Sequence, residues 1–539
     1  MSVAVNTQIS GTSPLGVKIG SQGQQQLDSS TTTVLQNSGI SRTWTKIAAS
    51  IAAAKNNNPQ VLPPISAAPT WTTSTGYGMG QIVRGTGSDA GNLYLMIGSN
   101  TTVNVDGVSN STGTGPSGIG TAPISDGTCT WLYVGKALAT DTTTPFISTA
   151  TLSGPTSDMN GYIQPITTTT ATTIGLTSYR PVVVTGTFAT EAFFSGGLFN
   201  NKITEAVNPP NGGSLASPNY AVAAARGSVA FATNARKWIA LNMQAGYFFK
   251  NVPYEIIING RYVSETPLVF NVDQSGTSYR VLLLNLTKFP EGRKTIEIRV
   301  NDNIQSRIAF EIYKEADDFV WPLENQNRIK FAIEGDSISV GSYVCAYKPR
   351  YWVERIIGDQ LGADAVYNNA VGGTGMINNG TTKTTYLDRL PDLVAFNPDI
   401  VFVGGIQNDV GNSGSYTSAN RQSTALTYFK ALRAALPNAL VVVVGVQALQ
   451  GQSLSSGSGT LYETETDMKT AFTNWNDPNS LFVPLITDSK VRITSSNGKH
   501  YQQTGVAPYT DTHPIPPYYP FFGGMIAEKI SKAVLAVNG

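Results

Sequence analysis

The rhythm of apolar positions changes along this chain and divides it. Beyond Asn327, short apolar runs alternate with longer stretches in which apolar residues recur every three or four positions. Ile329 to Ile333, Ala365 to Tyr367, Asp399 to Val403, Ala439 to Val444 and Leu481 to Leu485 predict strands. Tyr351 to Leu361, Tyr386 to Phe396, Ala419 to Leu436, Glu463 to Trp475 and Gly524 to Val537 predict helices. Five strands with crossover helices imply a parallel sheet covered on both faces. Such sheets bind ligands at the carboxyl ends of their strands. Gly335-Asp336-Ser337 lies just past the end of the first one.

Upstream the pattern is that of short strands. From Gly227 to Tyr313 the runs Val229 to Phe231, Trp238 to Leu241, Tyr254 to Ile258, Arg261 to Val263, Arg280 to Leu286, Thr295 to Val300 and Ala309 to Tyr313 are β-prone. Asn259-Gly260 between two of them is a strong hairpin signal, and the whole predicts a β-sandwich. From Trp71 to Lys136, Gln81 to Val83, Leu93 to Ile97 and Thr130 to Val134 alternate with Gly-rich turns and predict a small all-β module. Residues 137–225 are rich in Thr, Ser, Gly and Pro, but Ile163, Phe188, Phe193 and Phe194 recur among them, so a β-rich connector is expected, with Pro181 to Val184 as a strand. The first 60 residues are polar, with one helix near Trp44 to Lys55, ended by Asn56-Asn57-Asn58-Pro59, and Pro63-Pro64 reads as a linker. The expected organisation is therefore multidomain: an attachment or oligomerisation segment (1–62), a small β module (63–137), a β-rich connector (138–226), a β-sandwich (227–322) and a C-terminal α/β/α domain with a five-stranded parallel sheet (323–539).

Charge narrows the partners. Only 13% of the 539 residues are charged and the formal net charge is +1. Nucleic acid and anionic membranes both reward clustered Lys and Arg, so neither is expected. The longest apolar run, Ala439 to Val446, is far short of a membrane span, and the N-terminus lacks the cationic start and apolar core of a secretory signal. Two cysteines, Cys129 and Cys345, lie too far apart in sequence to suggest a disulfide framework, and no Cys/His spacing suits zinc. No metal or cofactor is expected.

The chain has two histidines, His500 and His513. His513 stands in Asp511-Thr512-His513-Pro514, just before the last predicted helix, and it is the fourth of four blocks at the ends of successive elements. The others are Gly335-Asp336-Ser337, Asn368-Asn369-Ala370-Val371-Gly372-Gly373-Thr374-Gly375, and Gly404-Gly405-Ile406-Gln407-Asn408-Asp409. A serine hydroxyl is a poor nucleophile at neutral pH unless an imidazole within reach takes its proton. Over about Arg328 to Gly539 the chain resembles the SGNH (GDSL-type) esterase superfamily, named for a serine, a glycine, an asparagine and a histidine. The resemblance implies Ser337 as nucleophile and His513 as general base. It also implies an oxyanion hole of the Ser337 and Gly373 N–H groups and the Asn408 amide.

Two departures from the family pattern stand out. Ile406 occupies a usual glycine position, with Gly404 and Gly405 before it to supply freedom. The family's acid lies three residues before the histidine, where this chain has Thr510, while Asp511 lies two before. Either Asp511 orients the imidazole through a remodelled loop, or the site is a Ser-His dyad with a backbone carbonyl behind the ring. Asp336 and Asp409 are expected as scaffold, and His500 as a loop residue. Tyr77, Tyr94, Trp131 and Tyr133 suit sugar stacking or, the favoured expectation, a module core. Tyr509, Tyr518, Tyr519, Phe521 and Phe522 flank His513 as cleft wall or as packing beneath the last helix.

A sandwich directly before an SGNH domain resembles carbohydrate esterases, which implies O-deacetylation of a polysaccharide. The segment Gly113 to Pro116 through Asp126 to Trp131 resembles bacteriophage tail and fibre modules. With the low charge and the apparent lack of a signal, it implies a homotrimeric tail spike or fibre. Its expected partners are acetylated capsule or O-antigen at the host surface and, through the N-terminus, other tail proteins. The alternatives are an inactive structural or receptor-binding virion protein, and a bacterial lipase or arylesterase.

Overall fold

The computed structural model describes residues 43–54, 64, 66–77, 81–99, 107–120, 123–137, 163–166, 177–179, 194–195, 225–244, 251–271, 280–287, 289–302, 309–314, 318–322, 329–340, 352–363, 365–380, 384–448, 452–487 and 518–538. Its C-terminal part is a five-stranded parallel sheet of β1 (Lys330–Glu334), β2 (Ala365–Asn368), β3 (Ile400–Val403), β4 (Leu440–Val444) and β5 (Ser480–Val483), in the spatial order β2-β1-β3-β4-β5. β3 and β4 are buried along their whole length, as strands covered on both faces must be. The helices are α1 (Ser337–Val340), α2 (Val353–Leu361), α3 (Leu390–Phe396), α4 (Ser418–Ala435), α5 (Leu461–Trp475) and α6 (Tyr518–Asn538).

Side chains alternate across the sheet with period two. Phe331, Ile333, Ile400, Phe402, Leu440, Val442 and Val444 face α2 and α6. Ala332, Val401, Val403, Val441 and Val443 face α3, α4 and α5. The chain leaves β1 for β2 on one side and then returns past β1 to β3 on the other. That reversal opens a crevice beyond the carboxyl ends of β1 and β3, the usual ligand position in such sheets.

Two helix starts differ from the sequence expectation by four residues or more, both at a proline. α3 opens at Leu390, four residues late, because Pro391 sits in its first turn and fixes where the helix begins. α6 opens at Tyr518, six residues early, because Pro520 falls in the first turn, where a missing N–H leaves no helical bond unmade.

The helix over residues 43–54 belongs to the same core. Trp44, Ile47, Ala48 and Ile51 pack among Ile329, Leu361, Leu440 and Val483. The Trp44 indole N–H donates to Asn479 Oδ1 (2.5 Å), Lys46 pairs with Asp399 (2.6 Å), and the Ser50 hydroxyl donates to Gly362 O (2.6 Å).

Ahead of this domain lie two antiparallel sheets. One runs in the order Arg261–Tyr262, Asn251–Ile258, Lys294–Asp302, Ala225–Thr233, Val320–Pro322. The other runs Ile163–Ile166, Arg280–Asn285, Trp238–Gln244, Ala309–Lys314, Thr177–Tyr179. The hairpin at Asn259-Gly260 forms with φ of 51° and 75°, the paired left-handed turn that this dipeptide favours. Ile163–Ile166, Thr177–Tyr179 and Phe194–Ser195, all from the Thr-rich connector, pair as strands onto these sheets. Pro181 to Val184 lies outside the described residues.

The small module is an antiparallel sheet of Ile82–Arg84, Asn92–Ser99, Cys129–Lys136 and Ile124–Asp126, in that order. Trp71, Tyr77, Val83, Tyr94, Met96, Cys129 and Trp131 form its core. Arg84 pairs with buried Glu265 (2.6 Å), which also accepts from Ala68 N (3.0 Å), so the module is fastened to the sheets behind it. The first of those sheets is fastened in turn to α2: fully buried Arg299 grips Asp359 through two bonds of 2.7 and 2.8 Å. No helix among the described residues is long and apolar enough to cross a membrane.

Candidate active site

β1 ends at Glu334, the chain turns through Gly335 and Asp336, and Ser337 opens α1 half-buried. Asp336 is fully buried, and its Oδ1 accepts from the Ile338 N–H (2.9 Å), which fixes the turn that presents Ser337. Burial pushes its carboxyl up to about 7. The N–H groups of Ile338, Ser339 and Gln407 pull it back, and neighbouring Asp409 adds to the rise. The Gln407 N–H thereby ties the loop after β3 to the loop after β1.

The loop after β2 is held against the same place. Asn369 N donates to Ile333 O (2.8 Å) and Val371 N to Gly335 O (3.0 Å). Gly373 sits at φ 75°, in the left-handed region that a residue without Cβ enters freely. Next to it, Thr374 O accepts from the Asn408 side-chain amide (2.9 Å), so the third loop's amide is anchored on the second loop's backbone. Asp409 clamps the rest of that loop: its carboxylate accepts from Met376 N (2.7 Å), Asn378 N (2.8 Å) and Ile377 N (3.3 Å). Burial raises the Asp409 carboxyl, and these N–H groups oppose the rise. Asp336 and Asp409 are scaffold, as their sequence setting suggested. The third loop manages without glycine at 406 because Gly405 takes φ 71° while Ile406 packs into the core beneath.

The structure therefore gathers Ser337, Gly373 and Asn408 on three adjoining loops at the β1/β3 crevice. His513, Asp511 and Thr510 lie outside the described residues, as do His500 and Tyr509.

Beneath the three loops is a group that pattern reasoning passed over. Glu334 and Arg389 form an ion pair, both essentially without exposure. Glu334 also accepts from the Asn369 amide (2.8 Å) and Gly335 N (3.1 Å). Arg389 Nη1 donates to Thr374 Oγ1 (3.1 Å) and Thr384 O (2.6 Å), and its Nη2 reaches Gly335 O (3.3 Å). Its guanidinium lies 5.1 Å from the Tyr386 ring centroid, and the Tyr386 hydroxyl is within 2.7 Å of both Gly404 O and Gly405 O. Burial drives the Glu334 carboxyl up to about 7 against the pull of Arg389. The available signal was a single acidic residue closing an apolar strand directly before Gly-Asp-Ser.

The aromatics sort clearly. Tyr519 and Phe522 are buried in the core under α6, while Phe521 is half exposed. Tyr77, Tyr94 and Trp131 are buried in the small module. Among the described residues, no group of His, Cys, Asp or Glu is placed to hold a metal ion.

Residues 334–505 match the GDSL-like Lipase/Acylhydrolase family, so the C-terminal part contains a GDSL-like lipase/acylhydrolase domain. No curated protein matches the chain. Among solved structures, the chain is similar to a family two carbohydrate esterase from Clostridium thermocellum in complex with cellohexaose (16% identity, TM-score 0.40, covering 60% of this chain and 97% of that one). It is also similar to an acetyl xylan esterase from Butyrivibrio proteoclasticus (13%, 0.38, 70% and 97%). A third likeness is to a salicylyl-acyltransferase from a tetracycline biosynthetic pathway (13%, 0.42, 59% and 84%).

Proposed function

We propose that this protein is a serine esterase that removes short acyl groups, acetyl above all, from a bacterial surface polysaccharide. The observation that carries the reading is the convergence of Ser337, Gly373 and the Thr374-anchored Asn408 amide at the β1/β3 crevice, within a segment matching an acylhydrolase family. In the proposed reaction the Ser337 hydroxyl attacks the ester carbonyl while His513 takes its proton. The oxyanion that forms is met by the N–H groups of Ser337 and Gly373 and by the Asn408 amide. Collapse expels the sugar alcohol, protonated by His513, and leaves an acyl-Ser337. Water, deprotonated by the same imidazole, then releases the carboxylic acid. Every step is proton transfer and acyl exchange.

The acetyl-polysaccharide substrate, the tail spike or fibre setting and the homotrimer remain part of this proposal. They are supported by the low charge, the Gly/Thr/Ser-rich β modules and the sheets that precede the hydrolase domain. The test is p-nitrophenyl acetate hydrolysis by wild type and Ser337→Ala, followed by acetate release from purified capsular and O-antigen polysaccharides. Turnover that vanishes in Ser337→Ala supports the esterase. Equal background rates in both proteins would sink it and leave a binding protein. Preference for octanoyl over acetyl esters would point instead to a lipase.

A further inference from the structure

We propose that the buried Arg389–Glu334 pair is the positioning device of the oxyanion hole, holding the Gly373 loop and the Ser337 turn in one fixed relation. This rests on the esterase reading above, although its second readout does not.

Three observations carry it. First, one guanidinium spans the two loops: Arg389 bonds Glu334 and Gly335 O at the end of β1, and Thr374 Oγ1 and Thr384 O on the β2 side. Second, the Thr374 it holds lies between two of the implied donors. Thr374 follows Gly373, its hydroxyl donates to Val371 O (2.7 Å), and its own carbonyl receives the Asn408 amide (2.9 Å). Third, the Tyr386 ring beside the guanidinium bridges to the carbonyls of Gly404 and Gly405, so the third loop joins the same knot.

Stability alone is a weak reason to bury such a pair. Removing two ions from water is costly, and well-packed apolar residues commonly serve the core as well. Preorganisation is the better reason, because donors must already be in place when charge develops on the substrate oxygen. Neither Arg389 nor Glu334 is in the catalytic machinery itself. Both act through Thr374 and Gly335.

The experiment compares full-length wild type, Arg389→Lys, Thr374→Val and Ser337→Ala. Lysine keeps the charge for Glu334 but lacks the fork that reaches Thr374 at the same time. Valine keeps the shape of threonine and loses the hydroxyl. With p-nitrophenyl acetate, Arg389→Lys should lower kcat roughly 10- to 100-fold, the range expected for an ångström-scale misplacement. KM should stay within about threefold, because ground-state binding does not use the hole. Thr374→Val should lower kcat by about tenfold with the same split. Amide hydrogen exchange over 371–380 should quicken in both variants, by more than any fall in the unfolding midpoint accounts for.

Wild-type kcat in a folded Arg389→Lys or Thr374→Val overturns the proposal, and so does a raised KM with kcat unchanged. Should Arg389→Lys fail to fold, Thr374→Val decides alone. Should wild type be no faster than Ser337→Ala, the esterase reading falls. The exchange rates then decide the link separately, and unchanged protection of 371–380 refutes it.

Discussion

Replacing Ile47 by alanine should destabilise a domain that begins almost 300 residues later in the sequence. Ile47 has no exposed surface and sits with Trp44 and Ile51 in the core formed by β1, β4, α2 and α6. The substitution deletes three buried carbons, worth about 2.4 kcal/mol of transfer energy at about 0.8 kcal/mol each. The void left behind adds to this, because a packed core relaxes only partly, so the total should be about 3 to 4 kcal/mol. For a domain of this size that corresponds to a fall in Tm of roughly 6 to 16 °C. The assay is urea unfolding followed by tryptophan fluorescence, alongside thermal loss of any p-nitrophenyl acetate hydrolysis that the proposed site supports. Ala49→Ser, on the exposed face of the same helix, is the control and should shift stability by less than about 0.5 kcal/mol. A midpoint for Ile47→Ala within about 1 °C of the control would refute the argument, since a buried isoleucine cannot be shortened at that small a cost.

Asn408→Ala should lower kcat by about 10²- to 10³-fold, the usual cost of one oxyanion donor, with KM nearly unchanged in steady-state kinetics. His513→Ala should abolish turnover. Asp511→Asn should cost far less if a backbone carbonyl backs the imidazole, and an equal loss in both variants would assign Asp511 as the orienting acid. Asp336→Asn should reveal a pH dependence. The wild-type carboxyl lies at about 7 when folded against an ordinary 3.8, so its neutral form is favoured in the native state and stability falls as pH rises through that window. Relative to wild type, the variant should gain up to about 4 kcal/mol between pH 4 and pH 7 and no more above it. Urea midpoints at pH 4 and pH 8 measure the difference, and a constant gap would contradict it.

Much of the C-terminal domain was legible because parallel strands announce themselves. Val401 to Val403 and Leu440 to Val444 are apolar at every position, which only a strand covered on both faces tolerates. The three site loops were legible for a different reason: Gly373, Gly405 and Asn408 are residue types that a tight turn or a side-chain amide donor requires, and they fall at strand ends. Docking was not legible. The periodicity of residues 43–54 predicts a helix with one apolar face, but Trp44, Ile47 and Ile51 would suit many partners, and nothing local selects α2 and α6. The same holds for the Thr-rich connector, whose short strands pair with sheets that the pattern completed without them.

Charged residues were the least legible, since a lone Glu or Arg in sequence reads as surface. Glu334 and Arg389 become partners only once β1 and β2 are paired in register and the chain has turned toward α3. The register has a chemical consequence. Ile333 lies opposite Asn368 and Glu334 opposite Val403. With that alignment Glu334 shares the face of Ala332, toward α3 and α4, where Arg389 waits. A slip of one residue would turn Glu334 to the other face, toward α2 and α6. Both charges would then be buried without a partner, a penalty of several kcal/mol that the correct register avoids. The native register is thus the one that gives both charges a partner. A sheet of Val, Ile and Phe alone could slide at far lower cost, and the three loops that make the site would no longer meet.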